Sequence, residues 1–127
     1  MRTLLDTHAM VWWMTGDSRL SKRAAAIIGD PKSEVLVSAA VGWEMAIKVK
    51  LGKINPTSLI EGLEDAVSSE TFTALPIALA HAIRAGLLPL HHRDPFDRLL
   101  VAQGQLLEIP IVSADRILDR YAVERVW

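Results

Sequence analysis

Short apolar runs that alternate with longer helical segments constrain the fold of this chain more than any other feature of its sequence. The runs with strand character, rich in leucine, isoleucine, valine and threonine, are Thr3–Leu5, Glu34–Ser38, Phe72–Leu75, Ile111–Ser113 and, as a last candidate, Ala122–Val126. Strands separated by helices pair in parallel, because each helix returns the chain to the edge of the sheet where the previous strand began. The sequence therefore predicts an α/β fold with a central parallel sheet and helices on both faces.

The helices between these strands have recognisable ends. Ser21 and Ser38 suit the N-cap position, because a serine hydroxyl accepts a free backbone N–H of the first turn, and Gly29 and Gly52 suit helix ends. The predicted helices are Ala9–Met14, Ser21–Ile28, the segment from Ser38 to Gly52, Leu59–Val67, Pro76–Gly86 and the segment from Asp94 to about Leu107, with a loop over Asn55–Ser58 and a helical turn at Arg116–Arg120.

The composition indicates one globular domain and excludes several kinds of site. With 127 residues, half of them apolar, we expect a single domain over residues 1–127. The absence of cysteine excludes disulfides, thiolate zinc sites and cysteine nucleophiles. A net charge of -1 gives no basic footprint for nucleic acid, although bound divalent cations would reverse the sign of an acidic cleft. Without a signal peptide or a membrane-spanning apolar run, the expected location is inside the cell and off the membrane.

Four acidic residues occupy related places in the predicted fold. Asp6 and Asp115 directly follow strands, whereas Glu44 and Asp97 lie in the first two turns of helices next to strands. The carboxyl ends of the strands in such a sheet converge on one crevice. Four carboxylates at close range cannot all stay ionised without cations, and oxygen ligands favour Mg²⁺ or Mn²⁺. The pattern predicts a metal site for phosphodiester hydrolysis.

A simpler interpretation exists for the acids of the D-P-F-D segment and for Asp6. Asp94 followed by Pro95 is a favourable helix start, so that Asp97 in the first turn could merely complement the helix dipole. Asp6 could likewise serve only as a helix cap.

Glu44 also has a simple alternative, a surface ion pair with Lys48 one turn later. Its neighbours argue for burial instead, since Ala40, Trp43 and Ile47 share one apolar face and predict a largely buried helix. A buried carboxylate requires a partner or a metal.

The histidines offer a competing metal site. His91 and His92, with His81 on the preceding helix, could bind zinc, but adjacent residues rarely point the same way and no zinc-ligand spacing is present. The favoured roles of the histidines are packing, turn contacts or an electropositive rim beside the D-P-F-D segment. The sequence also has no P-loop and no G-x-S-x-G, so NTP hydrolysis and acyl transfer find no support.

Several segments of the chain, taken in order, match those of a known protein family. The segments are L-L-D-T-H (4–8), S-A-A-V-G-W-E-M-A-I-K-V-K-L-G-K (38–53), L-P-L-H-H-R-D-P-F-D-R-L-L-V-A-Q (88–103), S-A-D (113–115) and the ending Y-A-V-E-R-V-W. With them the whole chain resembles PIN-domain proteins, and specifically the VapC-type ribonuclease toxins of bacterial toxin–antitoxin pairs.

The resemblance implies a PIN-like three-layer α/β/α sandwich and an acidic quartet of Asp6, Glu44, Asp97 and Asp115 around Mg²⁺. It implies a cytoplasmic endoribonuclease that cleaves single-stranded RNA, is neutralised by a cognate antitoxin and forms a homodimer. Asp94 belongs to the motif of the VapC-type toxins and not to the general PIN quartet. It is interpreted as the cap that fixes Asp97, and it could also support the metal ligands by hydrogen bonding.

The chain departs from the VapC-type pattern near Glu44. Val41 stands where VapC-type toxins often have serine or threonine, so this position offers no hydroxyl to assist Glu44. The acids themselves are all present.

Two further interpretations come from other classes. One is a degenerate binding module that acts through RNA capture or protein contacts, which an incomplete quartet would have favoured. The other is a phosphoacceptor domain, which would require paired acids after the first strand, where only Asp6 stands. Trp12, Trp13 and Met14 crowd one short helix and predict an apolar surface for a second subunit or an antitoxin segment, unless all three pack internally.

Overall fold

A parallel sheet forms the centre of the computed structural model, which describes residues 1–53 and 58–127. Residues 55–57 of the predicted loop Asn55–Ser58 lie outside the described residues, and Ser58 is the first residue of a helix. The strands are β1 (Arg2–Leu5), β2 (Glu34–Ser38), β3 (Thr73–Leu75), β4 (Ile111–Val112) and β5 (Arg125–Val126). They pair in parallel in the order β3-β2-β1-β4-β5. Helices flank this sheet, so the predicted three-layer α/β fold is confirmed.

The helices account for most of the remaining described residues. They are α1 (Thr7–Thr15), α2 (Lys22–Gly29), α3 (Ala39–Lys50), α4 (Ser58–Ser68), α5 (Leu79–Leu87), α6 (Pro95–Leu107) and a 3₁₀ helix (Arg116–Arg120). Ser21 and Ser38 cap α2 and α3 as predicted, by accepting the N–H groups of Ala24 and Ala40. Within the described ranges, no helix has both the length and the apolar character needed to cross a bilayer.

The middle of the sheet carries the core and creates the crevice. Leu4 and Leu5 of β1 and both residues of β4 are fully buried, as expected of strands covered on both faces. The strand order reverses at β1, where the chain leaves β3, passes through α5 and α6, and returns on the other side of β1 as β4. Open α/β sheets bind ligands at the carboxyl ends of the strands at such a reversal.

Helix α3 is rotated relative to the sequence prediction. Its buried residues are Ala40, Val41, Glu44 and Met45. Trp43 is 59% exposed and Ile47 is also exposed, so the predicted buried face that included them is wrong. Because α3 is apolar around most of its circumference, hydrophobic periodicity does not determine which side faces inward. The partners of Glu44, described below, lie on the side that the fold buries.

The largest differences from the predicted bounds are at the starts of α5 and β5. Helix α5 begins at Leu79 instead of Pro76, because the carbonyl of Pro76 accepts the side-chain amide of Gln103 (3.3 Å) and the Nδ1 of His81 accepts the N–H of Ala78 (3.0 Å). The last strand is limited to Arg125–Val126.

Candidate metal centre

The four predicted carboxylates line one cavity at the carboxyl ends of the central strands. Asp6 follows β1, which pairs with β4 through Leu5 and Val112, and Asp115 follows β4 by three residues. Glu44 comes from α3 and Asp97 from the first turn of α6, two helices that pack together. The cavity has a volume of about 230 Å³. The residues that line it are all polar or charged: Asp6, Thr7, His8, Glu44, Lys48, His92, Asp94, Asp97 and Asp115.

Asp6 is both a helix cap and part of this cluster. Its Oδ1 accepts the N–H of Ala9 at 2.8 Å, so the capping interpretation describes a real contact. The residue is only 6% exposed, and this burial raises the pKa of Asp6, an effect that Asp115 increases and that Ser113 and Ala9 oppose. Capping and a place in the cluster are therefore compatible roles.

Glu44 is buried and has two partners on different helices. The hydroxyl of Thr7 in α1 donates to Oε1 of Glu44, and Nζ of Lys48 lies 3.4 Å from Oε2. The predicted Glu44–Lys48 pair therefore forms, but at a mostly buried carboxylate and not on the open surface. The hydroxyl that Val41 cannot supply comes instead from Thr7, in the L-L-D-T-H segment.

The acidity of Asp97 is also perturbed by its surroundings. Burial raises the pKa of Asp97 from 3.8 to about 8, and repulsion by Asp94, Glu44 and Asp6 adds to the increase. Several carboxylates this close resist simultaneous ionisation unless positive charge enters the cavity. Asp94 has the predicted cap geometry, since its Oδ1 accepts the N–H of Phe96 at 2.8 Å.

His92 bridges two of the acids, a role that the sequence analysis did not assign. Its Nε2 lies 2.7 Å from Oδ2 of Asp115 and 3.2 Å from Oδ2 of Asp97. The ligand atoms of these three residues lie within 4.8 Å of one another. In the sequence, the one indication of this role was that His92 lies two residues before Asp94. An electropositive rim beside the D-P-F-D segment was one of the roles predicted for the histidines.

Tyr121, the residue directly after the 3₁₀ helix, anchors the segment that carries His92. The Oη of the buried Tyr121 donates to the carbonyl of Pro89 (2.7 Å) and accepts the backbone N–H of His92 (2.8 Å). The adjacent His91 packs edge-on against the ring of Tyr121, 5.1 Å between centroids. His81 contacts Ala78 and Gln103 and does not line this cavity, so the three histidines do not form the zinc site considered above.

The hydrogen bonds of His92 indicate how its ring nitrogens are used. Nδ1 accepts the backbone N–H of Asp94 at 3.2 Å, so the hydrogen of the neutral ring is on Nε2, which faces Asp115 and Asp97. In this state His92 is a hydrogen-bond donor to the carboxylates and not a metal ligand. The remaining donor set consists of carboxylate oxygens, and such a set fits a hard divalent cation such as Mg²⁺ or Mn²⁺.

Comparison with known proteins places this geometry in context. The sequence model of the PIN domain family matches residues 3–124. Comparison with curated protein sequences finds no significant match.

Similar solved structures cover nearly the whole chain. VapBC2 from Rickettsia felis, bound to a DNA fragment from its promoter, has a TM-score of 0.75 at 13% identity, with 100% of this chain and 99% of that chain covered. A toxin–antitoxin complex from Klebsiella pneumoniae has a TM-score of 0.70 at 18% identity, with 98% and 96% covered. FitAcB from Neisseria gonorrhoeae has a TM-score of 0.66 at 16% identity, also with 98% and 96% covered. At these identities the likeness shows a shared fold.

Proposed function

From the premise that this chain belongs to the PIN domain family, we propose that it is a divalent-metal-dependent endoribonuclease that cleaves single-stranded RNA. The observation that carries the proposal is the convergence of Asp6, Glu44, Asp97 and Asp115 on one polar cavity. The complete set of acids favours an enzyme over a degenerate binding module. We further propose that residues 1–127 work as one nuclease domain in the cytoplasm, where cellular RNA is available.

The four carboxylates would hold Mg²⁺ or Mn²⁺. A cation held by them would supply Lewis-acid stabilisation of phosphate charge and would lower the pKa of a bound water. The chain's own residues orient the ligands: Thr7 and Lys48 hold Glu44, His92 holds Asp115, and the Asp94 cap fixes the first turn that carries Asp97. Lys48 also places a positive charge on the cavity wall, where it attracts the substrate phosphate.

The test is cleavage of end-labelled single-stranded RNA by the purified chain. Cleavage should require Mg²⁺ or Mn²⁺ and stop in EDTA, and double-stranded RNA should be cut more slowly. Asp97→Asn protein purified in parallel controls for contaminating nucleases. Cleavage that persists in EDTA, or that is equal in the variant, contradicts the proposal.

We propose a cognate antitoxin as the partner, supported by the toxin–antitoxin complexes among the similar structures. A gene for a small DNA-binding protein directly upstream would encode it. Expression of the chain alone should arrest growth, and coexpression with that neighbour should restore it. Growth arrest that is the same with and without the neighbour contradicts the pairing.

We also propose a homodimer, supported by a different surface from the one predicted. Trp13 and Met14 pack against the core, and Trp12 contacts Trp127, so the helix they share leaves little unpaired apolar area. The exposed large apolar residues of α5 are instead Leu79, Ile83 and Leu87, spaced four apart on one face. Light scattering should give a dimer for the wild type and a monomer for Ile83→Asp.

A further inference from the structure

An aromatic pair with one exposed ring is formed by the residues that precede two of the cavity carboxylates in the sequence. Trp43 of α3 and Phe96 of α6 contact each other edge to face, with 4.9 Å between ring centroids and 81° between ring planes. Trp43 directly precedes Glu44 and Phe96 directly precedes Asp97, so each ring is one residue from a cavity carboxylate. We call Trp43 and Phe96 the aromatic pair.

The exposure of Trp43 is unusual for its type and is not explained by packing. Tryptophan is highly buried on average in folded proteins, yet Trp43 is 59% exposed. An edge-to-face contact involves only one side of a ring, so the contact with Phe96 leaves flat indole surface open to a ligand. The same contact restricts rotation of the indole, which lowers the entropy cost of ordering it on binding.

The cavity and the aromatic pair offer the two chemistries that a nucleotide requires. The residues that line the cavity are all polar or charged and suit a phosphate with its cation, whereas the flat indole of Trp43 suits a base. Trp43 and Phe96 touch across α3 and α6, the same two packed helices that supply Glu44 and Asp97 to the cavity. A base attached to a phosphate in the cavity is therefore expected near the indole of Trp43. Unpaired bases bind proteins by stacking on aromatic rings, and paired bases cannot do so.

We propose that Trp43, positioned by Phe96, stacks on an unpaired nucleobase next to the scissile phosphate. The inference rests on the proposed ribonuclease function and adds a base subsite to it. This subsite provides the preference for single-stranded RNA, because only an unpaired base presents a free face to Trp43. Binding of the base is largely independent of its identity, since every nucleobase has a π face.

An apolar peptide segment is the competing occupant. Ile47 lies one turn after Trp43 on α3, and Leu51, the residue directly after the helix, lies a further four positions on; both are exposed. A peptide would use the whole row, whereas a base would use only the indole next to the carboxylates. The two occupants therefore differ in their dependence on Leu51.

The experiment measures binding with charge-matched probes. Fluorescence anisotropy with Ca²⁺ in place of Mg²⁺ gives dissociation constants for a labelled oligoadenylate RNA and for an abasic ribose-phosphate chain of the same length. Both probes carry the same phosphates, so the ratio of the two constants isolates base contacts from electrostatics. Wild type, Trp43→Leu, Trp43→Phe and Leu51→Ser are compared, with circular dichroism as the check on folding.

The wild type should bind oligoadenylate about tenfold or more tightly than the abasic chain. Trp43→Leu should reduce that ratio about tenfold with little change for the abasic chain, and Trp43→Phe should recover part of it. Leu51→Ser should equal the wild type. The proposal is overturned if the ratio of the two dissociation constants is the same in Trp43→Leu and the wild type. It is also overturned if Leu51→Ser reduces the ratio as much as Trp43→Leu does.

RNA cleavage in Mg²⁺ is assayed separately on the same proteins. Base-dependent binding through Trp43 in a chain that does not cleave RNA would reject the proposed function and keep the subsite. Cleavage with a KM that is unchanged in Trp43→Leu would keep the function and reject the subsite.

Discussion

His92 donates the hydrogen on its Nε2 to Oδ2 of Asp115 across 2.7 Å, and the same nitrogen lies 3.2 Å from Oδ2 of Asp97. The two acids belong to different elements: Asp97 lies in the first turn of α6, and Asp115 directly precedes the 3₁₀ helix. A donor placed between them reduces their repulsion and orients Asp115 toward the cavity. Residues that orient metal ligands in this way affect metal affinity without being ligands themselves.

Substitution of His92 should therefore weaken metal binding. We expect His92→Ala to reduce Mn²⁺ affinity or RNA cleavage about 10–100-fold. His92→Gln should keep more of both, because a glutamine amide can place an N–H near the position of Nε2. Isothermal titration with Mn²⁺ measures the affinities. If His92→Ala binds Mn²⁺ as tightly as the wild type, the orienting role is wrong.

The two aspartates of the D-P-F-D segment should respond differently to substitution by asparagine. Asn caps a helix about as well as Asp, so Asp94→Asn should keep the fold and most of the activity. Asp97→Asn keeps the shape of the side chain but removes the charge that a hard cation requires, and should abolish cleavage. RNA cleavage and thermal melting of both variants test this. An inactive Asp94→Asn beside an active Asp97→Asn would reverse the assignment.

The raised pKa of Asp97 predicts how metal-free stability depends on pH. Between about pH 4 and pH 8 the folded protein keeps a proton on Asp97 that the unfolded chain has lost, because burial raises the folded-state pKa to about 8. The folded state binds more protons in this window, so the free energy of unfolding falls as pH increases. In EDTA, Tm should decrease from pH 5 to pH 8 more steeply in the wild type than in Asp97→Asn.

Metal should act against this trend. Protons compete with cations for carboxylates, so Mg²⁺ should raise the Tm of the wild type more at pH 8 than at pH 5. Asp97→Asn should show a smaller Mg²⁺ effect at both values. Differential scanning fluorimetry with EDTA or Mg²⁺ gives all these measurements. A wild-type Mg²⁺ effect that is larger at pH 5 would contradict the metal assignment.

Tyr121 should contribute to stability and to the position of His92 through its hydroxyl. Tyr121→Phe removes two hydrogen bonds, the one donated to the carbonyl of Pro89 and the one accepted from the N–H of His92. It keeps the ring contact with His91. We expect the free energy of unfolding to fall by about 1–3 kcal/mol, because two main-chain groups lose their partner. Urea unfolding measures this loss. Cleavage should decrease less than in His92→Ala, and an unchanged unfolding midpoint would show that the hydroxyl bonds contribute nothing.

Two helical glycines form a matched pair for testing the packing. A Cβ on Gly104 of α6 would lie 3.0 Å from Cγ2 of Val123 and 3.1 Å from Cδ1 of Ile111, whereas a Cβ on Gly86 of α5 would meet open space. Gly86→Ala should raise stability by a few tenths to about 1 kcal/mol through helix propensity. Gly104→Ala should lower it by about 1–3 kcal/mol through overpacking. The opposite order in urea unfolding would show that the packing at Gly104 is looser than described.

The sequence alone predicts the architecture and the four carboxylates, because both depend on local information. Strand β2 was predicted with its observed bounds, Glu34–Ser38, and the N-cap of α6 at Asp94, since β-branched runs and capping chemistry operate over a few neighbouring residues. Parallel pairing then places Asp6 and Asp115 at the same edge of the sheet, whatever the side-chain details.

Only the tertiary structure decides which groups surround those carboxylates. The hydroxyl of Thr7 on Glu44, the imidazole of His92 on Asp115 and the Trp43–Phe96 contact join residues that are 23 to 53 positions apart. No local pattern determines the rotation of α3, because that helix is apolar on most sides. Long-range packing sets this rotation, which buries Glu44 and leaves Trp43 in solvent beside it.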